Sequence, residues 1–504
     1  MRTGVLAAAL SLVAATGCRP EVPARTVVLS LPYDLDSLEP GLRDRLSDFA
    51  ILSNLYEPLV TTDAHLAVHP CLAERWENPD MTTWVFHLRK GVRFHDGREM
   101  TAVDVVYSFQ RLFGERDLEA RRHILTIQSV RPLAPDRVEI RTRTPLADFL
   151  NRIRFIHVVP AGAERATLRT AAVGTGPYRL DAHVPRREVA LRRHDEYWGP
   201  RPAVGRAVIR LNRQADDALT DLAAGRADLV QANSPEAAGM GTKPGVAVRR
   251  ISSIAVKLLF LDVTRERTAH VTGGKNPFRD RRVREAIHVA LDRARLARRL
   301  ASPALPAYQL VPPFIFGYHA GLPPVVPDPA RARSLLAEAG YPGGFEATLH
   351  ARQILADGAV ALRDSLEEVG IRLNVRSLPE EEFFETTRVQ GDFALALTRF
   401  GCPTGDAANF LDAGLHTFDP SRGYGQANAG GYSNPEVDRL IEESGRTLDP
   451  PPRRRTLERV MEVAMRDLPW IPLYVDEDVY VHRAGLAFEP RLDNYVIVSE
   501  IGLP

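Results

Sequence analysis

Trp84-Val85-Phe86-His87-Leu88 alternates with a period of two, as a half-buried strand does, and Thr101-Ala102-Val103-Asp104 follows it with a capping box. That box predicts a helix running through Val105, Phe109 and Leu112. A strand followed by a capped helix points to an α/β protein, and the rest of the chain repeats both signals. Ile371-Arg372-Leu373-Asn374-Val375 alternates in the same way. Val283, Ala286, Ile287, Ala290 and Leu291 form one apolar stripe at helical spacing. Asp328-Pro329 opens a helix carrying Ala332, Leu335, Leu336 and Ala339, which Gly340 stops. Asn434-Pro435 opens another that ends near Gly445.

A chain of 504 residues exceeds what one hydrophobic core organises, so two or three domains are expected. Hydrophobic content of 44% and charged content of 26% fit a globular protein. A formal net charge of +1 argues against a nucleic-acid partner, which calls for a strongly basic face. Of the 65 basic residues 61 are Arg, the mark of a GC-rich genome, so only an Arg at a telling position counts as functional. Catalytic motifs are scarce: HExxH, GxSxG and the phosphate loop are all missing. Gly423-Tyr424-Gly425 lacks the third glycine of a dinucleotide fingerprint, and Pro177 spoils Gly174-Thr175-Gly176 as a phosphate cradle. Glu380-Glu381-Glu382 reads as a solvated face, and the 14 His show no metal-ligand spacing. The expectation is a protein that is not an enzyme, with no catalytic residue, cofactor or resident metal.

At the N-terminus Arg2 precedes an apolar run from Val5 to Ala15, too short to span a bilayer, which needs about 20 residues. It suits a signal peptide over residues 1–17. Ala15-Thr16-Gly17 before Cys18 resembles a lipobox, although Ala15 replaces the usual Leu. Cys18 is then the acylated mature terminus, followed by a linker over 18–24, and the protein is an exported, membrane-anchored lipoprotein of the periplasm or cell surface. Cys71 and Cys402 read as unlinked thiols. Pro/Gly-rich stretches at 200–205, 239–245, 273–277 and 303–329 mark breaks, either linkers or surface loops.

Several segments in order resemble the family 5 solute-binding proteins, the dipeptide-, oligopeptide- and nickel-binding components of ABC importers. They are Asp36-Ser37-Leu38-Glu39-Pro40, Asn54 to Val60, Pro70 to Trp76, Trp84 to Gly97, Gly174-Thr175-Gly176-Pro177-Tyr178 and Tyr197-Trp198-Gly199. Val283 to Ala286 with Asp292, Ala339 to Pro342, Gly431 to Asp438 and Pro469 to Tyr474 continue the match, so that it runs from about residue 26 to 475. Most of these residues mark fold. In Gly174 to Tyr178 the glycines are expected to permit positive φ while Pro fixes the exit.

The resemblance implies a type II, periplasmic-binding-protein-like clamp of two lobes and three domains with mixed sheets. One lobe combines residues 25–53, 174–262 and 485–504 with an inserted domain at 54–173; the other is 263–484. Ligand sits between the lobes, and hinge closure presents it to the permease and ATPase subunits of the importer. The protein itself is expected to be a monomer.

The resemblance also places a ligand loop at Thr398 to Asp406. In peptide binders this loop carries an aromatic residue and, three positions on, an Asp that pairs with the peptide's α-ammonium. Phe400 matches the aromatic, but Pro403 stands where the Asp belongs, leaving Asp406 as a possible substitute. The order Phe400-Gly401-Cys402-Pro403 is similar to the nickel-binding branch, where Arg meets anionic chelators and a loop His ligates metal. The ligand-contacting set expected on this basis is Arg152, Arg154, Arg399, Phe400, Thr404, Asp406 and His416. A peptide cargo leads, with a nickel or metal chelate or another small anionic solute as the alternative.

Overall fold

The computed structural model describes residues 26–211 and 213–504, so the signal peptide, Cys18 and the whole linker over 18–24 lie outside the described residues. Two long strands organise the molecule, Val246–Leu261 and Trp470–Arg483, of 16 and 14 residues. They pair antiparallel from Val246 against Arg483 to Phe260 against Trp470. Midway the ladder slips: Ser252 faces Glu477, while the next regular pair is Val256 with Val475. The extra residues of the longer strand bulge there and bend the ladder.

Among the described residues, eleven strands form one mixed sheet around this pair. On one side Leu395–Gly401, Phe345–Arg352 and Ile371–Leu378 continue it, the last two in parallel register. On the other side come Leu229–Gln231, Thr26–Ser30, Arg206–Arg210, Glu188–Arg193 and Tyr178–Val184. Helices Arg281–Ala290, Pro329–Glu338 and Ala356–Glu367 cover the first half through Val283, Ile287, Leu335 and Leu362, all buried. The stripe read from the sequence is the face they bury. Asp328 caps its helix by accepting from Arg331 N at 2.8 Å, and Gly340 ends it at φ +91°.

A separate four-stranded sheet runs Ala73–Glu77, Thr83–Leu88, Arg137–Thr142, Ile127–Ala134 in spatial order. Phe86 and Ile140 from it pack with Val105 and Phe109 of helix Ala102–Gly114. The capping box forms, with Thr101 N donating to Asp104 Oδ2 at 2.8 Å.

The segment Gly174 to Tyr178 corrects one expectation. Neither Gly174 nor Gly176 takes a positive φ. Their role is close approach: a Cβ on Gly174 would meet the Leu55 carbonyl oxygen at 2.0 Å, and one on Gly176 the Leu55 carbonyl carbon at 2.7 Å. Gly176 N and Tyr178 N donate to the carbonyls of Leu55 and Asn54. This contact brings three separated motifs onto one buried carboxylate. Glu57 accepts from Tyr197 Oη at 2.7 Å, Trp198 Nε1 at 2.9 Å and Thr175 Oγ1 at 2.8 Å. Burial pushes its pKa up, and these donors oppose the shift. Cys71 and Cys402 are both buried and unpaired, as read.

Candidate binding cleft

A cavity of about 1560 Å³ opens where the long ladder slips, with Ser253, Ile254, Ala255, Asp476 and Asp478 in its wall. Both halves of the large sheet contribute, as does helix Phe149–Ile153 of the smaller sheet's domain. Such a volume is larger than a typical small-molecule pocket of roughly 300–1,000 Å³.

Of the expected ligand-contacting residues, Arg152, Arg399 and Phe400 line the cavity. Phe400 packs edge-on against Phe410, with ring centres 4.7 Å apart. Arg154, Thr404, Asp406 and His416 stand behind the wall, each buried and engaged. Asp406 is gripped by Arg453 through both oxygens at 2.5 and 3.0 Å, and also accepts from Ala408 N. His416 contacts the Thr417 carbonyl through Nδ1 and Glu442 through Nε2, and stacks on Tyr424.

Arg154, Thr404 and Arg152 come together in a different role, as a clasp across the cleft. Arg154 donates to the Pro403 carbonyl at 2.5 Å and Asn151 to the Thr404 carbonyl at 2.8 Å. Arg152 bridges Asp148 at 2.8 Å and Asp412 at 3.2 Å, and Ala147 N donates to the Gly445 carbonyl. Short helix 149–153 is thereby tied to the loop at 403–412.

The cavity's charges were only partly legible in the sequence. Lys257 lies opposite Arg399 on the neighbouring strand, and like charges so placed are unfavourable. An ion pair with Asp476 offsets Lys257. Arg399 makes no ion pair among the described residues. Arg352 and Arg388 stand over one ring, Phe384, at 5.4 and 4.5 Å. Glu380 pairs with Arg352 at 2.5 Å; Arg388 has no carboxylate partner among the described residues. Burial, with the neighbouring cations, holds Arg352 and Arg388 below the usual guanidinium range. Three guanidinium groups at this end thus meet two carboxylates, Glu380 and Asp357, of which Glu380 alone is ion-paired among the described residues, an arrangement suited to an incoming anion. A signal for Lys257 did exist: it is the single charge in the apolar run from Ile254 to Leu261, and a buried charge requires a partner.

Residues 67–421 match the family described as bacterial extracellular solute-binding proteins, family 5 middle. The chain belongs to that family. As a family 5 protein it is 26% identical over 505 residues to the glutathione-binding protein GsiB of Escherichia coli, covering 96% of this chain and 95% of that one. It is also 26% identical over 468 residues to heme-binding protein A of Haemophilus influenzae, covering 85% and 82%. Among solved structures, the ABC transporter-associated periplasmic binding protein DppA from Helicobacter pylori, in complex with peptide STSA, superposes with a TM-score of 0.77. That alignment covers 95% of this chain and 98% of DppA at 23% identity, and it carries the two-lobed type II α/β fold. No helix among the described residues is long and apolar enough to cross a membrane.

Proposed function

We propose that this family 5 protein is the substrate-binding component of an ABC importer and captures short peptides in the cleft. It hands them to the permease and its ATPase. The observation that carries this reading is the cleft's chemistry: a large open volume with an arginine-rich end and, on strand Trp470–Arg483, a carboxylate end. A peptide with free termini is complementary to both. Closing the lobes replaces its hydration by fixed groups, and the closed form is what a permease distinguishes. The ladder slip at Ser252–Val256 serves as the hinge, within the three-part division at 25–53 with 174–262 and 485–504, 54–173, and 263–484. The cleft performs no chemistry on its ligand, and the protein works as a monomer. Residues 1–17 direct export and Cys18 carries the lipid that anchors it; Cys18→Ser should release processed protein from the membrane or block processing. Mass spectrometry of solute extracted from the purified mature protein tests the cargo. Short peptides in stoichiometric amount support the reading, and a haem or metal chelate in their place contradicts it.

A further inference from the structure

Two buried oxygens in the cleft wall lack a hydrogen-bond donor, and they are neighbours. Asp478 is 5% exposed, and its Oδ1 accepts from Asn233 Nδ2 at 2.7 Å while its Oδ2 has no partner among the described residues. Gln231, also 5% exposed, leaves Oε1 equally without a donor. Both line the cavity. Gln231 faces Tyr480 across the antiparallel ladder, and Asp478 lies two residues from Tyr480, so the two side chains share one face of the sheet.

The charges around them are uneven. Asp476 and Asp478 face the cavity from strand Trp470–Arg483, and Lys257 is the cation within their reach, already bonded to Asp476. The other polar groups packed against Asp478 are uncharged: Tyr33, whose hydroxyl donates to the Asn494 carbonyl, Tyr480, Asn233 and the side-chain amide of Asn494. When both carboxylates are ionised, one negative charge is left that Lys257 does not offset, and burial accordingly pushes the Asp478 pKa up. Water would satisfy the hydrogen bonds of this corner but not its charge. An ammonium group, with three donors and one positive charge, satisfies both.

We infer that Asp478 and Gln231 form the subsite for the ligand's free amino group, in place of any carboxylate on the 398–406 loop. This rests on the peptide reading of the cleft and adds a length to it. Asp478 lies four residues along the strand from Tyr474, which faces Lys257 and, beyond it, Arg399. Four strand residues span about 13 Å, the reach of three to four extended residues. A tri- or tetrapeptide thus places its amine at Asp478 and its carboxylate at the arginine end.

The test uses the mature protein with a mixed tripeptide library, prepared with free and with N-acetylated amino termini. Retained peptide is measured by mass spectrometry after gel filtration. Wild type should retain the free-amine library at least tenfold better than the acetylated one, and Asp478→Asn should lose most of that preference. Should Asp478→Asn fail to accumulate as folded protein, Gln231→Leu removes the second acceptor without altering charge; it should weaken free-amine retention at least threefold and leave the acetylated library unchanged. Equal retention of both libraries by wild type overturns the amine subsite while leaving the peptide reading intact. An amine preference that survives both substitutions assigns the subsite to other residues and equally overturns it. Retention of neither library removes the peptide reading, and the inference with it.

Discussion

Arg453 holds Asp406 through both carboxylate oxygens, at 2.5 and 3.0 Å, in a pair buried behind the ligand loop. The pairing decides what Asp406 does. Its charge is spent on the loop's own architecture, so Asp406→Asn should leave a buried guanidinium uncompensated and cost about 3–5 kcal/mol in denaturant unfolding. Discrimination between free and acetylated peptides should persist in that variant. Its loss at unchanged stability would make Asp406 a ligand residue after all.

The clasp through Arg152 gives a second expectation. Arg152→Ala leaves Asp148 and Asp412 without their shared cation and should cost about 1–3 kcal/mol. Small-angle scattering of the ligand-free variant should show a larger radius of gyration than wild type, because a bond between the lobes is gone. An unchanged radius would mean that this bridge does not hold the lobes together.

At the opposite end of the cleft, Arg399, like Arg388, makes no ion pair among the described residues. Arg399→Ala should weaken binding of a free-carboxylate peptide roughly 10–100-fold, the worth of one charge-assisted hydrogen bond. The same peptide as a C-terminal amide should bind both proteins alike in calorimetry. Equal losses for both forms would assign Arg399 to packing.

A pH dependence follows from His288, whose Nδ1 sits 2.8 Å from a guanidinium nitrogen of Arg293. Burial, then that guanidinium, lowers its pKa to about 3. Below pH ~6.5 the unfolded chain protonates this ring while the folded protein does not. Stability contributed by keeping it neutral is therefore lost as pH falls from ~6.5 towards 3, amounting to about 2 kcal/mol at pH 5. His288→Gln keeps an acceptor but does not titrate. Its stability deficit relative to wild type, measured by urea unfolding, should narrow by that amount between pH 7 and pH 5. A deficit equal at both values would contradict the buried, neutral ring.

Local structure was the most legible layer of the sequence. Thr101 and Asp104 announce their capping box within four residues, and the stripe Val283, Ala286, Ile287, Ala290 is the face its helix buries. Long-range convergence was not legible. Nothing at Thr175, Tyr197 or Trp198 reveals that all three donate to Glu57, because the glycine approach that assembles them is a property of the fold. The cleft shows the same division. Arg399 and Phe400, named through the loop's position, line the cavity, whereas Arg154 and Thr404, named with them, stand behind its wall and act in the clasp. Asp478 and Gln231 lie on strands that carry no motif at those positions. Only the two orphaned oxygens mark them, and these appear once the strands are paired.

The most direct measurement is calorimetric titration of the mature protein against a fixed panel: mixed tripeptides, mixed tetrapeptides, nickel with histidine, and haem. One-to-one binding of free-amine tri- or tetrapeptides is expected, with little heat from nickel–histidine or haem. Saturable binding of nickel–histidine or haem, with every peptide silent, would contradict it.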